Sequence, residues 1–287
     1  MSSPENPQFE PAPLNSELQA PVPLVVVPFP APAAQPAPSA PKDEDPVWSG
    51  WDVLWIAGLT LLMLMIMQLL VAPGVLHFAY PHASWMDVAQ KPVSALLAQL
   101  LTYIVVGLYM ILLVQGKYRA LFWQAIRWNW PGVAGVSFAG IGVLMLGLDF
   151  LGRFLPMPKT TPFDQFFARP SDAYLTVVFA VSLGPLMEEL FFRGFLYPVL
   201  ARLVGAAGGV VLTALPFGLM HYLQYRSWSA VLIVVLVGVV LTTVRAVTKS
   251  VASSFLAHVG YNGALMTLTA LATDGFRHME KAGFLLF

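Results

Sequence analysis

The sequence predicts an all-α fold, a polytopic bundle of about seven transmembrane helices, with six or eight as the alternatives. The 287 residues are 57% hydrophobic and 10% charged, with a mean hydropathy of +0.71, whereas soluble domains are about 25% charged. Apolar stretches long enough to span a bilayer as helices, about 18 residues or more, recur after Trp51. A transmembrane β-barrel would show short alternating segments instead, so the stretches favour helices.

The candidate spans are separated by segments that contain proline, glycine and tryptophan. Tryptophans cluster near the span ends, as expected at a membrane–water boundary, and Pro73-Gly74 and Pro131-Gly132 mark two of the boundaries. The predicted spans are about 52–72, 94–115, 131–152, 172–192, 203–222, 229–247 and 251–272.

Composition divides the chain into four regions. The first 46 residues hold 13 of the 24 prolines, and such a segment buries too little apolar surface to offset its chain entropy. We therefore predict a disordered, proline-rich tail at 1–46. The other regions are N-terminal transmembrane helices at 47–171, a core with polar residues at 172–272 and a short C-terminal tail at 273–287.

Charge and cysteine content exclude several classes of function. The net charge is zero, so no basic surface indicates a nucleic-acid partner. The chain has no cysteine, which excludes disulfides, thiolate metal sites and cysteine nucleophiles.

The basic residues give a prediction of orientation. The most basic short loop, 116–130, contains Lys117, Arg119 and Arg127, and basic loops tend to stay in the cytoplasm. This places the N-terminus in the cytoplasm, although the seven-span scheme puts equal numbers of basic residues on both sides. We expect a multi-pass integral membrane protein, in the inner membrane if the source is bacterial.

Three charged residues lie within a stretch of six residues at the end of the fourth predicted span. Each would cost about 2.5–3.5 kcal/mol near a bilayer centre, so Glu188, Glu189 and Arg193 indicate a polar site inside the bundle. Glu189 and Arg193 have the spacing of an i,i+4 ion pair. Glu188 lies about 100° around the helix, free to act as an acid or base. The alternative is a purely structural network, or charges at the membrane surface. Gly184-Pro185 is expected to kink this helix.

Two later spans carry further polar residues. His221 ends the fifth span, where a lone histidine is more often an interfacial side chain than a catalyst. His258 and Asn262 share one face of the last span at i,i+4 spacing, which ordinary interhelical hydrogen bonding would also explain. In the third span, Asp149 is expected to pair with Arg153, four residues on.

Together these residues make one candidate catalytic set: Glu188, Glu189, Arg193, His221, His258 and Asn262. A carboxylate, two imidazoles and an amide can activate a water, protonate a leaving group and stabilise an oxyanion. Glu188, His221 and His258 could also bind one divalent metal such as zinc, with an open position for water.

Three motifs resemble those of a known family. The segments beginning at Glu188, Phe217 and His258 read EExxxRG, FxxxH and HxxxN. Their order and spacing are similar to the CPBP family, which comprises CAAX prenyl proteases of the Rce1 type and the bacteriocin-processing or self-immunity proteins also called the Abi family. The resemblance covers about 172–272, roughly a third of the chain. The first three spans and the tail carry no recognised motif.

The resemblance implies an intramembrane endopeptidase acting on a protein or peptide substrate at the lipid bilayer. It implies that Glu188 activates water and that His221 assists at the water or at a metal. It further implies that His258 and Asn262 stabilise the oxyanion or position the water, and that Glu189 and Arg193 support the site. The sequence does not decide between a metalloendopeptidase and a glutamate protease. The HExxH zinc motif is absent.

Two other functions are compatible with the residues. A non-catalytic immunity or scaffold protein could use the same bundle to bind a partner. A proton-coupled transporter could relay protons through intramembrane Glu and His, but the polar residues lie only in the C-terminal part, without the paired halves typical of transporters.

Overall fold

The computed structural model describes residues 46–282 and is helical, with no strand among those residues, so the all-α prediction is confirmed. The predicted tail at 1–46 lies almost wholly outside the described residues, as do residues 283–287. The bundle is built from α1 (Gly50–Ala79), α2 (Pro92–Leu112), α3 (Gly135–Leu144), α4 (Pro170–Val181), α5 (Leu183–Glu188), α6 (Tyr197–Met220), α7 (Trp228–Thr248) and α8 (Val251–Ala272).

Shorter helical segments make up the rest of the helical structure within residues 46–282. Two are π-helical, Leu113–Lys117 after α2 and Glu189–Leu196 between α5 and α6. The remaining α-helical and 3₁₀ turns are Trp85–Ala89, Phe122–Ala125, Gly132–Ala134, Leu146–Asp149, Phe150–Phe154, Pro162–Phe167, Tyr222–Tyr225 and Met279–Lys281.

Fewer helical stretches than the predicted seven have the length and hydropathy of a membrane span. Within residues 46–282 there are five: Gly50–Ala79, Pro92–Lys117, Gly132–Phe154, Pro170–Tyr225 and Trp228–Thr248. The fourth stretch, 56 residues long, contains both the fourth and the fifth predicted spans. The seventh predicted span is α8, whose 22 residues could cross a bilayer but include polar side chains such as Ser254, His258 and Asn262.

Gly205 interrupts the long fourth stretch. Its φ of 81° lies in the left-handed region that glycine adopts without steric cost. A Cβ added at Gly209 would lie 2.9 Å from Cα of Ala201, and residues eight apart in a straight helix cannot approach so closely. The chain therefore folds back at Gly205, and α6 consists of two segments.

The N-terminus of α1 is held in place by contacts of Trp48, Ser49 and Asp52. Ser49 and Asp52 form a capping box, and the Asp52 carboxylate also accepts hydrogen bonds from Lys117 Nζ at 2.7 Å and Tyr118 Oη at 2.6 Å. Trp48 Nε1 donates to the carbonyl of Phe195 at 3.0 Å. These contacts hold the first two spans against the π-helix that follows Glu188.

Glycines bring α3 and α8 into backbone contact. A Cβ at Gly142 would lie 2.0 Å from the carbonyl oxygen of Ala257, and one at Gly260 would lie 2.3 Å from that of Ala139. Small residues allow such close approach of membrane helices, whose association depends on packing. The contact lies beside His258 and Asn262, so α3 sets the position of the helix that carries them.

We expect Gly142→Ala to destabilise the protein by about 1–3 kcal/mol, the usual cost of overpacking a tight contact. The new methyl would collide with the backbone of α8, and the two helices would have to separate. Thermal unfolding in detergent measures the loss. The matched control is Gly140→Ala on the same helix, where a Cβ meets nothing within 4 Å. Equal stability of the two variants would contradict the close contact.

Candidate active site

The helix that carries the charged motif is irregular on both sides of Glu188. Ser182, with φ −123° and ψ −78°, separates α4 from α5 three residues before Pro185. Proline lacks an N–H and its ring clashes with the carbonyl four residues earlier, so the kink expected from Gly184-Pro185 is present. After Glu188 the helix widens into the π-helical segment Glu189–Leu196, a feature that often accompanies functional sites.

Glu189 is fully buried in a network of donors. Its Oε1 accepts from Arg193 Nη1 at 2.9 Å and from His258 Nδ1 at 2.9 Å, and its Oε2 accepts from Ser254 Oγ at 2.6 Å. The predicted Glu189–Arg193 ion pair is confirmed, and neither side chain is exposed. Three donors on one carboxylate fix its orientation.

Arg193 is held on every side of its guanidinium. Besides Glu189, it donates to Thr242 Oγ1 and to the carbonyl of Gly238, each at 3.2 Å. The guanidinium carbon lies 4.3 Å from the centre of the Phe217 ring, within range of a cation–π interaction. Arg193 therefore binds the π-helix to α7 and lies behind Glu189.

Glu188 faces a different environment, as its position around the helix predicted. Its side chain is 16% exposed, and Oε2 lies 3.8 Å from Nε2 of His258. That separation is too long for a direct hydrogen bond. Glu188 is thus the carboxylate of the pair that has room for a further partner.

The tautomers of the two histidines follow from their Nδ1 contacts. His258 Nδ1 lies 2.9 Å from the Glu189 carboxylate and His221 Nδ1 lies 2.8 Å from the carbonyl of Phe217. Both partners are acceptors, so each Nδ1 carries the proton. In the neutral rings Nε2 is then an acceptor with an available lone pair.

Asn262 is anchored to the kinked region. Its Nδ2 donates to the carbonyl of Ala180 at 2.8 Å, one turn before the break at Ser182. An amide nitrogen has two hydrogens, so a second N–H stays available for another acceptor.

One cavity of about 430 Å³ unites these groups. Glu188, His221, His258 and Asn262 all line it, whereas Glu189 and Arg193 lie behind the wall. The structure therefore brings together four of the six predicted residues at one surface and places the other two behind it.

Comparison with protein families matches the region of the chain that contains the candidate site residues. Residues 170–264 match the model described as Rce1-like, type II CAAX prenyl endopeptidase Rce1-like. This region is similar to that family and is called the Rce1-like domain below. No curated protein and no solved structure matches the chain.

The match confirms the resemblance drawn from the three motifs, and it contains all six predicted site residues. It supports a CAAX-type intramembrane endopeptidase in general terms, hence a protease that acts on peptide. Together with the apolar helices it supports an integral membrane protein.

Cavity residues from outside the Rce1-like domain were not predicted. Gln99 and Tyr103 of α2 line the same cavity as Glu188. The available signal was a polar i,i+4 pair in an otherwise apolar span. Two tyrosines within the domain, Tyr225 and Tyr261, also line the cavity and were not predicted. A single tyrosine gives no comparable signal.

The predicted partner of Asp149 was wrong. Its Oδ1 accepts from Tyr261 Oη at 2.8 Å, and its Oδ2 has no hydrogen-bond partner among the described residues. Arg153 instead lies over the Phe150 ring, 4.6 Å from its centre. The helix ends at Asp149 and a 3₁₀ segment follows, so the geometry of the expected i,i+4 pair is lost.

Proposed function

We propose that the Rce1-like domain hydrolyses peptide bonds in the membrane with a water activated by Glu188. The observation that carries the proposal is the 3.8 Å separation of Glu188 Oε2 and His258 Nε2 at one cavity. Two acceptors at this separation can both contact one water, which donates one hydrogen to each.

The chemistry then needs two proton transfers. Glu188 takes a proton from the water as the water oxygen bonds to the carbonyl carbon of the peptide. The second N–H of Asn262 donates to the resulting oxyanion. Glu188 then passes its proton to the nitrogen as the C–N bond breaks, which leaves a carboxylic acid and an amine.

The network behind the cavity supports the proposal that His258 accepts a hydrogen bond from the attacking water. Glu189 accepts the Nδ1 proton, so Nε2 faces Glu188 as an acceptor. Arg193 neutralises Glu189, so the His258–Glu189 contact places no unpaired charge in the bundle. We assign Glu189 and Arg193 as positioning residues.

His221 supplies a second fixed imidazole. Its contact with Phe217 turns Nε2 into an acceptor, and its ring lies parallel to that of Tyr225 with centres 6.4 Å apart. We assign it to holding water in the cavity. A neutral His221 cannot donate to an oxyanion through Nε2, so the donor in this proposal is Asn262.

A divalent metal such as zinc is the alternative means of activating the water. Each imidazole donates Nδ1–H to an acceptor, as metal-binding histidines do, and Glu188, His221 and His258 would be its ligands. When bound, a metal would lower the pKa of its water. Residues 46–282 contain no group of three His, Cys, Asp or Glu arranged to hold a metal ion, so no step above depends on one.

We expect peptide cleavage by the purified protein to survive dialysis against a strong chelator, because Glu188 itself takes the proton. Activity before and after dialysis, with elemental analysis of the same samples, provides the measurement. Zinc bound in a one-to-one ratio, with activity lost on its removal and restored on its return, would overturn the glutamate mechanism.

Hydrolysis by the purified protein in lipid vesicles tests the proposed function. The probes are a farnesylated peptide ending in CAAX, its unprenylated twin and a random peptide library. Products from the wild type and none from Glu188→Gln would support the proposal. Equal product from both proteins, or none from either, would contradict it. The difference between the twin peptides would show whether a prenyl group is required.

A further inference from the structure

Part of the wall of the cavity that contains Glu188 comes from α2. Gln99 and Tyr103 both line it, and both lie outside the Rce1-like domain at 170–264. The cavity is therefore incomplete without an N-terminal span in which no motif was recognised.

Tyr103 is held rigidly in this wall. Its ring stacks on that of Phe179 with centres 5.6 Å apart, and Gln99 Nε2 donates to its hydroxyl oxygen at 2.7 Å. The hydroxyl oxygen is thus an acceptor from Gln99, and its own hydrogen donates to no residue among those described at 46–282. An oriented O–H is left available at the cavity.

A phenylalanine would stack on Phe179 equally well. The hydroxyl adds only a polar group, which is costly in an apolar bundle unless it is hydrogen-bonded. Gln99 donates to the hydroxyl oxygen, and a molecule in the cavity would accept the hydrogen of the hydroxyl group. Gln99 also leaves its Oε1 without a partner among the described residues, so the pair offers one donor and one acceptor.

A donor and an acceptor side by side are complementary to one residue of an extended peptide, whose own N–H and C=O point to the same side. We propose that Tyr103, oriented by Gln99, donates a hydrogen bond to a backbone carbonyl of the peptide substrate. This inference rests on the proposed function. In the proposed mechanism Asn262 donates to the reacting carbonyl, so Tyr103 donates to a neighbouring carbonyl of the substrate. That hydrogen bond is equally strong in the bound substrate and in the transition state.

We expect Tyr103→Phe to raise KM for the farnesylated CAAX peptide about 3–10-fold with kcat unchanged, the loss of one hydrogen bond made equally in ground and transition states. Gln99→Met should act in the same direction more weakly, because Tyr103 keeps its hydroxyl but loses its orientation. The control is Tyr109→Phe on the same helix, whose ring packs in a separate core cluster and whose KM should stay at the wild-type value.

Equilibrium binding of the same peptide to the Glu188→Gln protein separates this inference from the proposed activity. A weaker affinity when Tyr103→Phe is added would support the contact whether or not the wild type cleaves. An unchanged KM and affinity, or a fall in kcat at constant KM, would overturn it. So would an equal KM rise in Tyr109→Phe, which would indicate a general effect on α2.

Discussion

We expect Glu188→Gln to lower peptide hydrolysis by about 10²–10⁴-fold, the usual contribution of a general base. Glutamine keeps the size of the side chain but cannot accept the proton of the attacking water. Glu188 is partly exposed to the cavity, and within residues 46–282 it has no ion-pair partner closer than the 3.8 Å contact with His258. Its replacement should therefore leave the fold intact. Initial rates in vesicles and thermal unfolding measure the two effects.

A matched control is Glu280→Gln, an exposed carboxylate in the turn Met279–Lys281 that contacts His278. It makes the same chemical change outside the cavity, and both rate and stability should stay at the wild-type values. A Glu188→Gln protein with the wild-type rate would contradict the proposed mechanism. A retained cellular phenotype without cleavage would instead favour the non-catalytic immunity or scaffold function.

We expect Arg193→Leu to reduce the free energy of unfolding by about 3–5 kcal/mol, because the change leaves the buried Glu189 carboxylate without its counter-ion. The variant also loses the contacts with Thr242 and Gly238. Activity should fall as well, since an unbalanced Glu189 no longer holds His258 in place. Reversible unfolding in mixed detergent measures the stability.

The control for this variant is Arg169→Leu, which removes an exposed pair with Asp172 at i,i+3. Exposed pairs contribute little because water screens them and both side chains lose entropy. Adding Glu189→Gln to Arg193→Leu should recover part of the stability, because the unpaired charge is gone. If Arg193→Leu cost no more than Arg169→Leu, the buried pair would not hold the site together.

The different surroundings of Glu188 and Glu189 were predictable because they follow from local helix geometry. Adjacent helical residues point about 100° apart, so Glu188 and Glu189 face different surroundings and lie near opposite nitrogens of the His258 ring. The i,i+4 spacing of Glu189 and Arg193 likewise follows from helix geometry, and the ion pair is present even though the segment is π-helical. The break before Pro185 is local too, since it follows from the missing N–H.

Contacts between distant segments were less predictable. Glu189 also binds His258 and Ser254, some 65 to 69 residues away, and nothing in its neighbourhood along the chain specifies them. The error at Asp149 has the same origin. Its nearest basic residue suggested a local pair, whereas the packing of α8 brought Tyr261 to it.

The sequence by itself determined that this is an all-α membrane protein with a charged segment at Glu188–Arg193, and it indicated the motifs on which the proposed chemistry rests. Hydropathy, helical periodicity and motif spacing are properties of neighbouring residues, and they can be read along the chain. Only the tertiary structure decided that Glu188 and His258 face one cavity, that Glu189 and Arg193 lie behind it, and that Gln99 and Tyr103 complete its wall. These relations depend on how close the helices pack, as at Gly142, and on where the chain reverses, as at Gly205, which neighbouring residues do not encode.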